Sequence, residues 1–274
     1  MAFQTWQIGL DIQNKQLYAL GIQRRREGWQ LRHWWQQPLP PETLKTGVLQ
    51  SSATLQALLQ QWRKQLPQRI SLRVGLPPQL VLQRPLTLPN QTLREPELSR
   101  YVHAAARRIF PIEPDALTLD YRPLDTDEKQ LCVTAARRQV IAQWLEPLRQ
   151  AGLSPDVFEL TPMALAIVAR AARLPTGDAM VYRLNDKWLW YGQNGEAMSG
   201  GCASDEIADF SQLRQRYFPA ASAVWFSAAS DMAAPAGTRP FSPFAILQHK
   251  QPPLPRRDDA FTLALGLALR QEDC

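Results

Sequence analysis

Two stretches of the sequence open with the same order of predicted elements, and this repeat constrains the fold more than any other feature. Residues 5–22 hold two apolar stretches around a short polar turn, which predicts a strand, a tight turn and a strand; residues 29–35 continue as a third strand. Residues 179–193 restart the pattern, and residues 195–201 supply its third strand. The repeat indicates two related lobes of the kind that a cleft-binding protein needs. Because hairpins are common, two unrelated hairpins are the alternative interpretation.

The segment between these openings contains elements of both kinds. Apolar residues from Leu55 to Leu66 recur at helical spacing and residues 70–76 read as a strand, so the first unit is a mixed sheet with a helix on one face. A second unit begins near Leu82. Its predicted elements are a strand ended by Pro89, a helix over 98–109, paired strands at 116–124 and 130–136, and a helix over 140–148 with Gly152 as its C-cap.

A short strand at 156–160 and a further helix precede the second opening. Thr161 and Pro162 predict the start of this helix, with Thr161 as the N-cap and Pro162 in the first helical position, and it runs to about Arg173.

The C-terminal third is less regular. A helix carries Ile207 to Tyr217, and residues 223–228 form a buried strand. Residues 233–257 are rich in Pro and Ala and are expected to be mainly irregular. Residues 261–270 are ambiguous, because their alternating leucines favour a strand, whereas Ala and Leu favour a helix that two preceding aspartates would cap.

Composition bears on the compartment and the partners. The chain has 274 residues, a net charge of +6 and an odd number of cysteines, Cys132, Cys202 and Cys274, so no disulfide framework is indicated. No apolar run is long enough to span a membrane, and the first ten residues do not form a signal peptide. We therefore expect a cytoplasmic protein. The arginines are scattered and not interleaved with aromatic residues, so direct nucleic-acid binding is not expected.

Recognisable catalytic motifs are absent from the sequence. It has no Walker loop, no paired Cys and His at zinc-binding spacing, and no Gly-x-Ser-x-Gly elbow. Gly9 and Asp11 end the first strand just before a tight turn, where a backbone turn and a carboxylate can hold a nucleotide phosphate and its Mg²⁺. Glycine and aspartate are also ordinary turn residues. We expect a protein that is not an enzyme and works by binding other proteins.

Several stretches in order resemble the PilM family, the actin-like cytoplasmic components of type IV pilus assembly. IGLDIQNKQLYALGI resembles the family's first phosphate hairpin, and LQRPLTLP, RRIFPIEPDALTLDYRPL, CVTAARRQVIAQWLEPLRQAGLSP and TPMALAIVARA follow in the family's order. SPFAIL and FTLALGLALR resemble its C-terminal end. The short chain and QPPLP look most like the enterobacterial HofM branch, which is described as DNA-utilisation or competence-pilus proteins.

The resemblance implies an α/β fold of the actin-like, two-lobed type with an inserted small α+β subdomain and a truncated second lobe. The implied divisions are 1–79 for the first part of the first lobe, 80–155 for the insert, 156–176 for the return to the first lobe and 177–274 for the reduced second lobe. It also implies a nucleotide site between the lobes, here reduced to Gly9, Asp11 and Gly266.

The sequence departs from the family where nucleotide chemistry would occur. Gln13 follows Asp11 where the family has a glycine, and Arg183-Leu184-Asn185 stands where the second phosphate hairpin should begin with Asp-x-Gly. AVWFSAASDM replaces a glycine pair near the adenosine, and little chain remains between Gly201 and Ala223 for the second lobe's helical subdomain. Phosphoryl transfer depends on such positioning groups, so we expect no ATP hydrolysis and no bound cofactor, with a Mg-ATP site as the alternative.

What the resemblance implies about function follows from these departures. We expect a non-catalytic scaffold, peripheral to the inner membrane through its partner, that holds the cytoplasmic N-terminal tail of a PilN-like (HofN-like) protein in a groove on the first lobe and its insert. The setting would be the uptake or use of extracellular DNA. The alternatives are a nucleotide-binding actin-like ATPase switch and direct DNA binding, which would require a contiguous basic stripe.

Overall fold

A computed structural model describes residues 5–89, 93–124, 127–194 and 196–271. Residues 5–76 contain six strands and one helix: β1 Trp6–Gln13, β2 Gln16–Arg25, β3 Gly28–Pro38, β4 Leu44–Lys45, β5 Val48–Leu49, α1 Ala53–Arg63 and β6 Ile70–Leu76. The middle of the chain follows with β7 Val81–Thr87, α2 Glu97–Ile109, β8 Leu117–Leu124, β9 Asp127–Arg137, α3 Arg138–Gln150, β10 Pro155–Leu160 and α4 Thr161–Ala171. The last third holds β11 Ala179–Arg183, β12 Lys187–Asn194, β13 Glu196–Ala203, α5 Phe210–Tyr217, β14 Val224–Ala228, β15 Arg239–Pro240 and α6 Thr262–Leu269.

The first sheet has the strand order β10-β6-β1-β2-β3, in which β1 pairs antiparallel with β2 and parallel with β6. Alternation along the strands separates its two faces. Leu17 and Ala19 join the core that the sheet forms with α1 and α3, whereas Leu20 and Ile22 point to the opposite side, toward α4 and α6. Both faces of this sheet are therefore covered.

The second sheet repeats this topology. Its order is β13-β12-β11-β14-β15, again with an antiparallel hairpin followed by a parallel neighbour, here β14 beside β11. Val181 and Phe226 pack with α5 on one face, and Met180 and Tyr182 face α4 and α6 on the other. The predicted repeat of the strand-turn-strand opening is thus confirmed, and it extends to the whole five-stranded order.

Helices α4 and α6 form the layer between the two sheets. Their apolar residues, among them Leu165, Val168, Leu263 and Leu267, belong to one core cluster that also includes residues of both sheets. Helix α6 is buried along its whole length, which explains why its sequence shows no amphipathic periodicity. The layers therefore follow in the order α1 with α3, the first sheet, α4 with α6, the second sheet, and α5.

The insert is a three-stranded sheet, β7-β9-β8, covered on one face by α2. Val102, Ala106 and Val133 are fully buried in its core. Helix α3 lies outside that core, because Trp144 and Leu148 pack with Trp62 of α1 against the first sheet. By packing, α3 thus joins the first lobe, although the predicted division at 80–155 groups it with the insert.

Most predicted elements are confirmed. The short strands β4, β5 and β15 were not predicted, and the other differences lie mainly at helix ends. The N-cap of α4 is Leu160, without a side-chain hydrogen bond, so the prediction that Thr161 caps this helix is wrong. Ile207 precedes α5, which begins at Phe210. Gly152 does end α3, with a φ of 73°. Its N–H donates to the carbonyl of Arg149 and the N–H of Leu153 donates to that of Leu148, which forms a Schellman motif.

Candidate functional site

A cleft with a volume of about 360 Å³ lies between the two sheets. Its walls come from six places in the chain: the turn between β1 and β2, the β4–β5 hairpin, the residues after β6, the start of α4, the hairpin of β11 and β12, and the start of α6. The two hairpin turns of the repeat therefore face each other across it. Its polar lining residues include Asp11, Gln13, Thr161, Asn185, Asp186 and Lys187.

Asp11 lies at the floor of the cleft. It is 1% exposed, and the side-chain nitrogen of Gln13 donates a hydrogen bond to its Oδ2 at 2.5 Å. Burial raises the pKa of Asp11 to about 7, and the hydrogen bond from Gln13 lowers it in part. Near neutral pH this carboxyl therefore exchanges between its protonated and ionised forms without direct access to water.

Gln13 joins the two lobes. Its side chain is buried, and its nitrogen also lies 3.4 Å from the hydroxyl of Tyr182 on β11. The Tyr182 hydroxyl donates to the carbonyl of Ala260 at 2.8 Å, and burial raises the pKa of this phenol well above its ordinary value. Asp11, Gln13 and Tyr182 thus form a buried polar chain from the first hairpin to the second sheet.

A second tyrosine crosses between the lobes close to this chain. The hydroxyl of Tyr18 on β2 donates to the carbonyl of Ala229 at 2.8 Å, and its ring meets that of Phe261 edge to face. Burial, together with the charge of Asp11, raises the pKa of Tyr18 to about 12. Sequence reasoning missed both tyrosines as members of the site. The alternation of β11 places Tyr182 on the inner face with Met180, but no sequence signal identifies its partners.

Gly9 and Gly266, the other two predicted site residues, do not line the cleft. A Cβ at Gly9 would lie 1.9 Å from the carbonyl oxygen of Ala264 in α6. A Cβ at Gly266 would lie 2.1 Å from the carbonyl oxygen of Ala164 in α4. Each glycine therefore allows two backbones to touch, and only Asp11 of the predicted set reaches the cleft.

The second hairpin presents no aspartate at the position where its phosphate turn would begin. Arg183 occupies it, and its guanidinium lies 4.5 Å from the centre of the Trp188 ring and bonds to Ser204 Oγ, near the core that covers the outer face of the second sheet. Asn185 and Asp186 form the turn itself and line the cleft.

This lining does not fit a nucleoside triphosphate. The buried amide of Gln13 fills the space beside Asp11 that a phosphate-binding turn keeps open for backbone N–H groups. The cleft carries two carboxyl groups, Asp11 and Asp186, and Lys187 is the one cation among its described lining residues. Over the described ranges, no group of three or more His, Cys, Asp or Glu side chains could hold a metal ion.

The joint between the insert and the first lobe holds a second polar cluster. Glu159, at the end of β10, has a side chain that is 4% exposed and accepts from Arg270 at 2.6 Å and from Arg122 of β8 at 3.2 Å. Because Arg270 follows α6, one carboxylate ties together the first sheet, the insert and the C-terminal helix. Of the helices that the structure describes, none is both long and apolar enough to cross a membrane.

Comparison with known proteins agrees with this architecture. A sequence model of the family described as type IV pilus assembly protein PilM matches residues 9–180. The DNA utilization protein HofM of Escherichia coli (strain K12) is 30% identical over 273 residues, which cover 98% of both chains.

Solved structures show the same fold. A chain of a PilM-PilN type IV pilus biogenesis complex superposes with a TM-score of 0.66 at 19% identity, covering 96% of this chain and 97% of that one. The cytoplasmic domain of EpsL, an inner membrane component of the type II secretion system of Vibrio cholerae, superposes with a TM-score of 0.52 at 14% identity, covering 96% and 94%. The predicted actin-like fold class is confirmed. With its family match and its relative of nearly equal length, the chain belongs to the PilM family of type IV pilus assembly proteins.

Proposed function

We propose that the protein is a non-catalytic scaffold that holds the cytoplasmic N-terminal tail of a PilN-like inner-membrane protein. The observation that carries the non-catalytic part is the polar chain of Asp11, Gln13 and Tyr182, which begins at the floor of the cleft where an actin-like ATPase would bind phosphate. Family membership and the fold shared with a chain of a PilM-PilN complex support the choice of partner.

The tail would bind at the joint between the insert and the first lobe. Strand β10 is at the edge of the first sheet and β8 is at the edge of the insert's sheet, so both have unpaired backbone groups along their outer sides. An extended peptide can add to such an edge through main-chain hydrogen bonds. The Glu159 cluster fixes the distance between these two strands, because Arg122 projects from β8 and Glu159 from β10.

The partner would bring the scaffold to the inner face of the cytoplasmic membrane. The similarity to a DNA utilization protein supports a setting in the uptake or use of extracellular DNA. The net charge of +6 is compatible with a position beside anionic lipid. The dimensions of the protein would then matter more than any reaction at its cleft, because a scaffold sets the distance between the proteins that it holds.

A calorimetric titration with a synthetic peptide of the PilN-like tail tests the partner. Saturable one-to-one binding that is lost when Glu159 is changed to Gln, and kept when the exposed Asp120 is changed to Asn, would support the proposed groove. Tight binding that neither substitution affects would place the tail elsewhere, and no binding at millimolar peptide would reject the partner.

A thermal melt with Mg-ATP tests the non-catalytic part separately. A ligand at one hundred times its Kd stabilises a protein by about 2.7 kcal/mol, which raises the Tm of a chain of this size by several degrees. We expect no shift up to millimolar Mg-ATP. A saturable shift would support the ATPase switch instead, and it would leave the result with the tail peptide unaffected.

A further inference from the structure

A basic groove lies at the end of the molecule opposite to the cleft. It consists of two adjoining cavities of about 900 and 600 Å³, which share Arg26, Glu27 and Gln248. The turn between β2 and β3 forms one wall, and the segment after β15 forms the other. Because β2 also starts at the cleft, its ten residues separate the two sites by about 30 Å.

Cations dominate the lining of this groove. Five line it, Arg24, Arg25, Arg26, Arg173 and Lys250, and Glu27 is the one carboxylate among its described lining residues. Arg24, Arg26 and Arg173 are exposed, and in the described part of the chain none of these three forms an ion pair. The positive charge of these arginines is therefore available to a ligand. The five cations come from three separate segments of the chain, the end of β2 with the turn after it, the residues after α4 and the segment after β15.

The floor of the groove is apolar. Half-buried Trp29, Leu174, Trp225 and Ile246 lie between the cations, and buried Phe241 meets Trp225 edge to face. Two hydrogen bonds fix the walls: the indole nitrogen of Trp225 donates to Asp178 at 2.9 Å, and the backbone nitrogen of Trp29 donates to the Gln248 side chain at 2.6 Å. An apolar floor with a cationic rim fits an amphipathic anionic ligand.

The surroundings of two tryptophan rings favour a peptide over a single-stranded nucleic acid as the anionic ligand. The guanidinium of Arg24 lies 5.0 Å from the centre of the Trp29 ring, and that of Arg239 lies 5.6 Å from the centre of the Trp225 ring. These faces are therefore already occupied, whereas single-stranded nucleic acid binds by stacking its bases on open aromatic faces. The N–H groups of guanidinium ions placed in this way remain free to bond carboxylates in pairs.

We propose that this groove is a second docking site, which takes an acidic, leucine-bearing peptide segment of another protein. The carboxylates would pair with Arg24, Arg26 and Arg173, and the apolar side chains would lie on the floor beside Trp29 and Ile246. The site shares no residue with the cleft or with the joint at Glu159, so it does not depend on the proposed tail partner. Two docking sites at separate places would allow the scaffold to join two proteins.

Fluorescence anisotropy with a labelled peptide of four Glu-Glu-Leu repeats tests the proposal. We expect saturable binding that weakens at least about tenfold in the variant with Arg24→Glu, Arg26→Glu and Arg173→Glu. The control variant has Arg100→Glu, Arg107→Glu and Arg108→Glu, which change the net charge equally on exposed positions of α2. It should bind within twofold of the unmodified protein.

Four results would overturn the proposal: equal binding of a Gln-Gln-Leu peptide, an equal loss in the control variant, tighter groove-dependent binding of oligothymidylate, or displacement of the peptide by phosphatidylglycerol vesicles. Thermal melts confirm that both variants are folded. If the glutamate variant is unstable, the same three positions are changed to Gln, and quenching of tryptophan emission by the unlabelled peptide provides the second readout, because Trp29 and Trp225 line the site.

Discussion

Gln13 donates a hydrogen bond from its side-chain nitrogen to Oδ2 of Asp11 at 2.5 Å, two residues away on the same hairpin. Strand residues at this spacing share one face, so the pair points together into the space between the lobes. The bond gives the buried carboxyl a donor from the chain itself. Substitutions of Asp11 and Gln13 therefore test whether the pair contributes to the stability of the fold.

Replacing Gln13 by Leu should destabilise the fold by about 1–3 kcal/mol at neutral pH, because a buried carboxyl loses its hydrogen-bond donor. Urea unfolding measures the free energy. Asn14→Ala, at the neighbouring exposed position, is the control and should change it by less than about 0.5 kcal/mol. If Gln13→Leu is neutral, the polar chain does not contribute to stability.

The stability of the protein should depend on pH through Asp11. The pKa of this carboxyl is about 7 in the folded state and 3.8 in an unfolded chain, so the folded state binds the proton more tightly. Lowering the pH from 7 toward 4 therefore adds stability from this group, with a slope of at most about 1.4 kcal/mol per pH unit, and raising the pH removes it.

Asp11→Asn tests this dependence, because it keeps the size of the side chain and removes its titration. Urea unfolding at a series of pH values should show a smaller gain on acidification for the variant than for the unmodified protein. Parallel curves for the two proteins would mean that folding does not raise the pKa of Asp11.

Gly9→Ala should destabilise the protein by about 3 kcal/mol or more, because the added methyl group meets the backbone of α6, which cannot move aside as a side chain can. Gly266→Ala should have a similar effect through α4. Gly192→Ala is the matched control, since a Cβ there would lie 3.9 Å from its nearest neighbour, the Cβ of Ala179. Unfolding in urea compares the three. Equal effects at all three positions would exclude close backbone packing as the cause.

Glu159→Gln should cost about 3 kcal/mol, because it removes the buried negative charge to which Arg270 and Arg122 both donate. Asp120→Asn is the control. Asp120 pairs with the same Arg122 at 3.5 Å, but its side chain is 61% exposed, and such pairs contribute at most about 1 kcal/mol. In limited proteolysis, the Glu159→Gln variant should be cut between the insert and the first lobe sooner than the Asp120→Asn variant. Identical cleavage patterns would show that the joint is held by other contacts.

Local patterns were sufficient to predict most strands and helices, because hydrophobic periodicity and turn residues act over short distances. They could not decide the form of residues 261–270. A helix that is buried on all sides has no polar face, so its sequence lacks the period that distinguishes it from a strand. The place of α3 was likewise hidden, since its apolar stripe does not specify which core it joins.

The site was predictable only in part, and Gly9 and Gly266 show why. A glycine in a family pattern indicates that something approaches the backbone closely, but the sequence does not reveal whether that is a phosphate or another helix. Asp11 was identified from its position in the hairpin. Its burial and its link through Gln13 to Tyr182 depend on residues more than 160 positions apart in the chain, which local reasoning cannot bring together.

The contacts of Gly9 with α6 and of Gly266 with α4 also bear on motion. The first strand, α6 and α4 meet through bare main chain at these points, and main chain does not change rotamer to let a neighbour slide. Sliding the first sheet over α6, or α6 over α4, would require these backbones to separate. We therefore expect the first sheet and the two central helices to move as one block, so that the first lobe keeps its dimensions whatever the state of the cleft.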